Sequence, residues 1–402
     1  MFERVKEYSR LTYRKYAKLL LFAVLIAAVF SGGVLVGQGR VHLGSGSGET
    51  NLPAQLDYSA LNKVYAALRQ NYDGKLSESQ VLDGLKKGLA ESTHDPYTEY
   101  FTANEAKTFS NELNNSFSGI GAELSQDSNG DITIIAPISG FPADKAGLKA
   151  KDIIASINGE STTGMSVDEA VSKIRGAAGT KVKLSVIRGT QQLNFTITRA
   201  DIQLPSVNTK ILDGNIGYMQ ITTFADDTSR LAQQAADKFA KAQVKGVIVD
   251  LRDNPGGLLD AAINVSSLWV PSGKTIVEEK GTIGDITHAA LGDDTLNGIP
   301  TVVLINSGSA SASEITAGAL HDNSAAYLIG EKSYGKGVVQ QLINFSDGSE
   351  LKVTVASWYR PNGQNINKKG ITPDKTVPLT DQDISAGNDT QLKAAQDYLA
   401  GR

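Results

Sequence analysis

The 402-residue chain contains no cysteine, only four histidines and only two tryptophans. Without cysteine it has no disulfides, thiol nucleophiles or thiolate metal ligands. The histidines are far apart in the sequence and no H-E-x-x-H or comparable ligand cluster occurs, so neither a metal nor another cofactor is expected. The net charge is −4 and no basic stripe is interleaved with aromatic residues, which argues against a nucleic-acid partner.

One long uncharged run stands near the N-terminus. It covers the 21 residues from Leu19 to Gly39 and is flanked by Lys18 and Arg40. As a helix it would extend about 31 Å, close to the hydrocarbon thickness of a bilayer. Six basic residues lie at or before Lys18 and only Arg40 closely follows the run, which predicts a cytoplasmic N-terminus and an extracytoplasmic remainder. We expect a retained single-pass anchor in the cell membrane. A cleaved signal peptide is the alternative, and it also implies export.

The residues after this run change in composition twice. Residues 40–54 are rich in glycine and serine, as flexible linkers are. Residues 55–115 have the periodicity of helices, broken at Asp95–Thr98 by turn-forming residues. Residues 116–202 then read as short strands, turns and one helix, which is the pattern of a small α+β domain.

Strands alternate with helices from Gly214 onwards. Asn215–Ile221 is a strand, Thr228–Lys241 an amphipathic helix, and Gly246–Leu251 a buried strand without polar alternation. This order predicts an α/β core around a parallel sheet. Lys274–Leu296 gives little signal and is expected to be a polar connection, and Thr390–Ala400 is expected to be a final amphipathic helix.

A cluster of serines lies where a buried strand turns into a helix. The strand is Thr301–Ile305, and Gly308–Ser313 leads into the helical pattern that begins at Ile315. A helix N-terminus has unpaired N–H groups and about half a positive charge, so an oxygen that becomes anionic is stabilised there. A serine at this position suits the role of nucleophile.

A serine nucleophile needs a base, and the nearest histidine is badly placed. His321 follows Ser311 by ten residues, about 15 Å along a helix. Lys336 is the other candidate, because it is flanked by Gly335 and Gly337 and has no carboxylate beside it. A lysine base must be neutral, and both burial and the positive end of a helix lower its pKa from the usual value near 10.4.

Two other motifs overlap Lys336, and neither is complete. Gly330–Gly337 resembles a phosphate loop, but glycine follows the lysine where a hydroxyl residue should hold magnesium. Ser333–Lys336 matches S-x-x-K, yet K-T-G and S-D-N do not occur in the chain. Nucleotide binding and penicillin-binding chemistry are therefore not expected.

Two segments together resemble the carboxy-terminal processing, or tail-specific, proteases. They are S-A-S-A-S-E at Ser309–Glu314 and Y-G-K-G-V-V-Q at Tyr334–Gln340, and 25 positions separate Ser311 from Lys336. The resemblance implies a crotonase/ClpP-like α/β peptidase core in which Ser311 is the nucleophile, Lys336 the base and Gln340 the residue that orients the base.

The same resemblance assigns further residues around the site. The Ala312 N–H and the N–H of Gly256 or Gly257, in the turn Arg252–Gly257, would form the oxyanion hole. Asp322 falls on an acidic position that supports the site in some members. The family often has histidine where this chain has Asn367, so no role of that histidine is transferred.

The α+β segment resembles a PDZ domain over most of its length. The matching parts are a glycine-containing loop, the segment Ala146–Ile154 and the helix Val167–Ile174. Consecutive N–H groups of such a loop bind a terminal carboxylate, and the adjoining strand edge pairs with an extended peptide. Arg175, just after the helix, could sense that peptide by pairing with a carboxylate of the catalytic domain. The loop comprises Ser118, Gly119, Ile120 and Gly121.

The predicted organisation is multidomain: a single transmembrane helix, a helical subdomain, and a PDZ domain inserted before the peptidase core. By the family resemblance, the helical subdomain also supports a homodimer. The predicted boundaries are 1–18 for a cytoplasmic basic segment, 19–39 for the anchor, 40–54 for the linker, 55–115 for the helical subdomain, 116–202 for the PDZ domain, 203–376 for the catalytic domain and 377–402 for a C-terminal segment.

The predicted function is cleavage near the C-terminus of protein substrates by a membrane-anchored, extracytoplasmic serine endopeptidase. Its partners would be protein or peptide C-termini and the membrane. Two alternatives belong to other classes: a catalytically inactive PDZ adaptor that binds protein tails, and a cytoplasmic crotonase-like acyl-CoA enzyme, which should lack the PDZ insert.

Overall fold

The computed structural model describes residues 55–281, 284–292 and 294–401. The predicted anchor Leu19–Gly39 and the linker 40–54 lie outside these residues. Within the described ranges, no helix has both the length and the apolar composition that a membrane span requires.

The described residues divide into two units, and the division lies between Gly74 and Lys75. The described part of the first unit contains the helix Ser59–Asn71, which has no buried residue. Its exposed apolar side chains follow helical spacing, as the sequence predicted, and they are Leu61, Val64, Tyr65 and Leu68.

The second unit begins with two capped helices, Glu78–Glu91 and Ala103–Leu113. Ser77 and Thr102 start them, and in both cases the side chain of the cap and that of the third helical residue bond each other's backbone N–H. Between them, the strand Glu99–Phe101 pairs antiparallel with Glu350–Tyr359. The sequence predicted only helices and a turn here, because a three-residue strand forms no pattern of its own and its partner is about 250 positions away.

The residues with PDZ resemblance form a sheet around an aliphatic core of Ile132, Ile154, Leu184 and Val186. The helix Val167–Ile174 has the predicted bounds, and the Ser166 hydroxyl accepts a hydrogen bond from the Glu169 N–H. A short helix spans Pro142–Lys145, and Ser116–Gly119 pairs separately with Ala200–Gln203. The main sheet has the order Ala122–Gln126, Ile132–Pro137, Ile153–Ile157, Lys181–Arg188 and Gln191–Thr198, with Glu160–Ser161 paired to Ile153–Ile157.

A six-stranded sheet forms the α/β core. Its order is Val207–Leu212, Ile216–Ile221, Gly246–Asp250, Thr301–Ile305, Tyr327–Gly330 and Lys375–Thr376, and every pair except the first is parallel. Helices follow the strands at Thr228–Lys241, Leu259–Ser266, Ala312–Asp322, Asp381–Ser385 and Thr390–Ala400.

Both faces of this sheet are covered, which explains why its strands do not alternate in polarity. Val247 and Val249 face a large core with Phe239. Ile248 points to the opposite face, where the C-terminal helix packs through Leu399. The predicted parallel α/β arrangement is therefore present.

A second, antiparallel sheet packs beside the first. Its order is Glu99–Phe101, Glu350–Tyr359, Thr275–Gly281 and Gly284–Ala289, and Val338–Asn344 also pairs with Glu350–Tyr359. The expectation that Lys274–Leu296 is a polar connection is wrong, since this stretch contains a hairpin. The hairpin is stabilised by distant contacts, because Glu278 pairs with Tyr359 and the adjacent Val277 is fully buried.

Candidate active site

Ser311 is held in an unusual backbone conformation at the start of the helix Ala312–Asp322. Its φ is 52° and its ψ is −114°. A non-glycine residue rarely adopts such angles, and strain of this kind, on the order of 1–3 kcal/mol, persists where the surrounding structure imposes it. The neighbouring serines are buried and bonded: Ser309 Oγ donates to the Leu251 carbonyl at 2.7 Å, and Ser313 Oγ donates to the Asn254 carbonyl at 2.9 Å.

The glycine pair after the strand Gly246–Asp250 lies against Ser311. A Cβ placed on Gly256 would be 2.8 Å from the Ser311 Cβ. The Gly256 N–H donates to Asn254 Oδ1 at 2.9 Å and is therefore occupied. The N–H groups of Gly257 and Ala312 donate to no residue in the described ranges, and both residues line the Ser311 pocket. Of the two glycines that the sequence left open, Gly257 is the one with an available N–H group.

Lys336 is bonded to Gln340. Lys336 Nζ donates to Gln340 Oε1 at 2.6 Å. An ideal strand would separate side chains four residues apart, but Lys336 precedes the strand Val338–Asn344 and a β-bulge lies between Val339 and Gln340. Burial lowers the pKa of Lys336, and the nearby charge of Lys352 lowers it further.

Ser311 and Lys336 line the same cavity, which has a volume of about 430 Å³. The described structure contains no hydrogen bond between Ser311 Oγ and Lys336 Nζ; the lysine donates to Gln340 instead. In sites without substrate, catalytic hydrogen bonds are often long and shorten in the complex. Apolar side chains form most of the remaining wall, among them Leu113, Leu258, Val339, Leu342 and Trp358.

Glu314 connects the serine segment to the lysine loop, although no role is predicted for it from the sequence. It is fully buried and accepts hydrogen bonds from Ser333 Oγ at 2.5 Å and from the N–H groups of Gly335, Lys336 and Ser311 at 2.8, 2.9 and 3.0 Å. Burial raises the pKa of Glu314, and these hydrogen bonds oppose that rise. Its position three residues after the helix start matches the capping-box pattern, which is the signal that could have identified it.

Comparison with known proteins identifies the family. The model of peptidase family S41 matches residues 215–377, and the model of the PDZ domain matches residues 110–187. The carboxy-terminal processing protease CtpA of Bacillus subtilis (strain 168) is 41% identical over 368 residues, which cover 90% of this chain and 78% of that protein. The chain belongs to peptidase family S41. The resemblance to tail-specific proteases and the prediction of a serine-type peptidase are thereby confirmed.

Two further proteins are similar to this chain. A probable CtpA-like serine protease of Staphylococcus aureus (strain bovine RF122 / ET3-1) is 36% identical over 88% of this chain and 72% of that protein. The crystal structure of a putative S41 protease from Bacteroides fragilis NCTC 9343 has a TM-score of 0.57 at 18% identity, covering 87% of this chain and 99% of that one. At that identity the similarity concerns the fold alone.

An ion-pair network in this S41 peptidase lies just before the glycine turn. Asp250 is only 2% exposed and accepts from Arg252 Nε at 2.9 Å and from the Tyr218 hydroxyl at 2.8 Å. Arg252 also donates to Asp389 at 2.9 and 2.7 Å and to Gln391 at 3.1 Å. The start of the C-terminal helix is thus bonded to the strand end that precedes Gly256.

Asp322 lies at the far end of the serine helix and is not among the residues that line the Ser311 pocket. Its carboxylate accepts from the guanidinium of Arg360 and from the Asn362 N–H. His321 contacts Asp322 and Asp374 at 3.1 Å each, so it is not close to Ser311 either. The structure therefore brings neither residue to the serine and lysine of this S41 peptidase.

The predicted carboxylate loop of the PDZ domain divides into two parts. Ser118 and Gly119 belong to the strand Ser116–Gly119, and Ser118 Oγ donates to Asp201. The N–H groups of Ile120 and Gly121 donate to no residue in the described part of the chain, and both residues line a small groove beside the helix Val167–Ile174. The N–H groups of Ile120 and Gly121 are therefore available to a ligand.

Arg175 lines the same groove, with its guanidinium carbon 5.0 Å from the centroid of the Phe117 ring. Within the described residues it forms no ion pair with a carboxylate. The structure therefore does not bring it to a carboxylate of the catalytic domain.

Proposed function

We propose that this chain is a membrane-anchored, extracytoplasmic endopeptidase that cleaves proteins near their C-termini with Ser311 as nucleophile and Lys336 as base. The observation that carries the proposal is the pocket itself: a strained serine at a helix N-terminus and a lysine with a lowered pKa line one cavity. The amides of Gly257 and Ala312 lie in the same wall.

The reaction begins when neutral Lys336 takes the proton of the Ser311 hydroxyl. Ser311 Oγ attacks the scissile carbonyl carbon, and the carbonyl oxygen becomes an oxyanion that accepts from the Gly257 and Ala312 N–H groups. When the C–N bond breaks, the Lys336 ammonium gives its proton to the leaving amine and an acyl-enzyme remains. Water then attacks the ester with Lys336 as base, which releases the shortened protein and restores the hydroxyl.

Gln340 would set the direction of the lysine in this cycle. Its Oε1 accepts from Nζ at 2.6 Å, and this contact leaves the nitrogen lone pair free to face another group. In the free site the Lys336 amine donates to Gln340. Substrate binding must therefore favour rotation of the flexible lysine side chain towards Ser311.

Substrate capture would use the PDZ groove. A terminal carboxylate fits the free N–H groups of Ile120 and Gly121, and an extended tail can pair with the strand Ala122–Gln126. The anchor at Leu19–Gly39 would hold the enzyme at the membrane. The chain would form a homodimer through the exposed apolar side chains of the helix Ser59–Asn71.

The test is cleavage of a protein with a free apolar C-terminus, followed by mass spectrometry of the products. Ser311→Ala and Lys336→Ala should each lower kcat/KM by at least about 10³-fold. Ser307→Ala and Lys332→Ala are the matched controls, because both residues are exposed and lie on the same loops, and they should retain activity. Unchanged cleavage in either active-site variant would contradict the mechanism.

A further comparison separates the enzyme from the adaptor. Amidation of the substrate's C-terminus should raise KM while leaving the cleavage position unchanged, because only capture of the tail is weakened. If the unaltered chain binds the free tail but cleaves no protein offered, the inactive PDZ adaptor becomes the better description.

A further inference from the structure

A turn that precedes both matched domains enters the lysine site. Asp95–Thr98 lies outside the ranges 110–187 and 215–377 that the PDZ and peptidase models cover. Gln340 Nε2 nevertheless donates to the Tyr97 carbonyl oxygen. Lys336 Nζ lies 5.2 Å from the centroid of the Tyr97 ring. One residue of the turn thus contacts both members of the Lys336 and Gln340 pair.

The turn is firmly attached to the catalytic part. Asp95 accepts from the Tyr97 N–H at 3.2 Å and from Thr98 Oγ1 at 2.7 Å. Thr98 Oγ1 in turn accepts from the Thr354 N–H at 3.2 Å. The strand Glu99–Phe101 then continues directly into the antiparallel sheet. These bonds fix the position of Tyr97 relative to the strands that carry Gln340.

We propose that Tyr97 is a positioning residue for Lys336; this rests on the proposed role of Lys336 as the base. The Tyr97 carbonyl accepts from the amide nitrogen of Gln340, so the amide oxygen must face the lysine. The Tyr97 ring covers the amine and limits its contact with water. The Tyr97 carbonyl therefore controls the direction of the Lys336 amine through Gln340, and the Tyr97 ring controls its protonation.

The ring has two opposite effects on Lys336. Its face attracts the ammonium form, an effect below about one pH unit at a partly exposed site. Its bulk excludes water and so disfavours the ammonium form, an effect that reaches several pH units when burial is complete. Burial is the largest cause of the lowered pKa of Lys336 and the ring is part of its cover, so loss of the ring should raise that pKa. The substitution removes none of the charged groups that act on Lys336 or line its pocket, which are Asp95, Lys352, Glu314, Glu112 and Glu279.

The first test is the pH dependence of kcat/KM in the full chain. Activity requires neutral Lys336 and falls below its pKa. Tyr97→Leu should move this fall to higher pH by at least about 0.5 unit, which lowers kcat/KM at pH values below the fall by about threefold or more. Both variants keep the backbone carbonyl, but only Tyr97→Phe keeps the ring, so its profile should coincide with that of the unaltered chain. An unmoved profile in Tyr97→Leu, with thermal unfolding unchanged, would overturn the proposal.

The second test measures the pKa of the Lys336 amine in a protein that does not catalyse cleavage. In the Ser311→Ala background, competitive acetylation of Lys336 at a series of pH values, measured by mass spectrometry, gives its pKa directly. Addition of Tyr97→Leu should raise that pKa, whereas Tyr97→Phe should not. An equal pKa in all three proteins would contradict the role of the ring.

The two tests distinguish this inference from the proposed function. Should Lys336→Ala retain cleavage, the role of Lys336 as base fails, and the acetylation series still decides whether Tyr97 controls the amine. Should Lys336→Ala abolish cleavage while Tyr97→Leu leaves both the pH profile and the acetylation pKa unchanged, only the Tyr97 inference fails.

Discussion

Glu314 Oε2 accepts a hydrogen bond of 2.9 Å from the backbone N–H of Lys336. The same oxygen accepts from the N–H of Ser311 at 3.0 Å. One buried carboxylate oxygen therefore sets the distance between the backbones of the proposed base and the proposed nucleophile. The other oxygen holds the rest of the lysine loop through Ser333 and Gly335.

Glu314→Ala should lower both the free energy of unfolding and the rate of cleavage. It leaves the buried donors of Ser333, Gly335 and Lys336 without their acceptor, and each such group costs about 1–3 kcal/mol. We expect a loss of at least about 3 kcal/mol in the free energy of unfolding, measured with urea. Glu123→Ala is the control, because Glu123 is exposed, and it should change stability by less than about 0.5 kcal/mol. Equal stability of the two variants would contradict the role of Glu314.

Gln340→Glu should shift the pH dependence of cleavage. In the folded protein the pKa of Lys336 is lowered, so the neutral base is present at lower pH than for a free lysine. A carboxylate 2.6 Å from the amine would favour the ammonium form and raise that pKa. The pH below which kcat/KM falls should therefore increase, by at least about one unit. Gln340→Leu adds no charge and should lower kcat without this upward movement. A profile that stays in place in Gln340→Glu would argue that the two side chains separate in solution.

Gly257→Ala should remove oxyanion stabilisation. Gly257 has a φ of 137°, and a Cβ there would lie 2.2 Å from the Phe224 carbonyl oxygen, so the turn must move. Loss of one oxyanion donor lowers kcat by about 10²–10³-fold. Gly179→Ala is a matched control, because its φ is also positive, at 83°, but no atom lies within 4 Å of the added Cβ. It should cost only about 1–2 kcal/mol of stability. Normal kcat in Gly257→Ala would exclude that N–H as a donor.

Arg252→Met should destabilise the protein strongly. It leaves Asp250, which is 2% exposed, without its charged partner, and the loss of one member of a buried pair costs about 3–5 kcal/mol. Lys393→Met provides the comparison, since Lys393 is exposed and lies 3.9 Å from Asp397; an exposed pair contributes about 0–1 kcal/mol. Both values are measured by urea unfolding. Similar values for the two variants would contradict a stabilising role of the buried pair formed by Arg252 and Asp250.

Local patterns predicted the elements whose signals are local. The helix Thr228–Lys241 has the predicted bounds, since apolar spacing defines it without outside contacts. The parallel strands were recognisable for the same reason: a strand covered on both faces is continuously apolar. The motifs around Ser311 and Lys336 also lie within short segments.

The strands and the site residue that were not predicted depend on contacts between residues far apart in the sequence. The strands Glu99–Phe101 and Thr275–Gly281 exist because Glu350–Tyr359 pairs with both, and no local pattern records that. Tyr97 is about 240 positions from the lysine it contacts, so its place in the site depends on the same sheet. The contact between Lys336 and Gln340 also departs from the spacing of an ideal strand, because a β-bulge lies between Val339 and Gln340.

Labelling of Ser311 by a fluorophosphonate tests the central claim, a hydroxyl activated by a neutral lysine, most directly. Peptide mass spectrometry should find the label on Ser311 in the unaltered chain, at a rate that rises with pH through the pKa of Lys336. Lys336→Met should react at least about 100-fold more slowly, because general-base assistance contributes about 10²–10⁴-fold. A label on another serine, or an unchanged rate in Lys336→Met, would contradict the account.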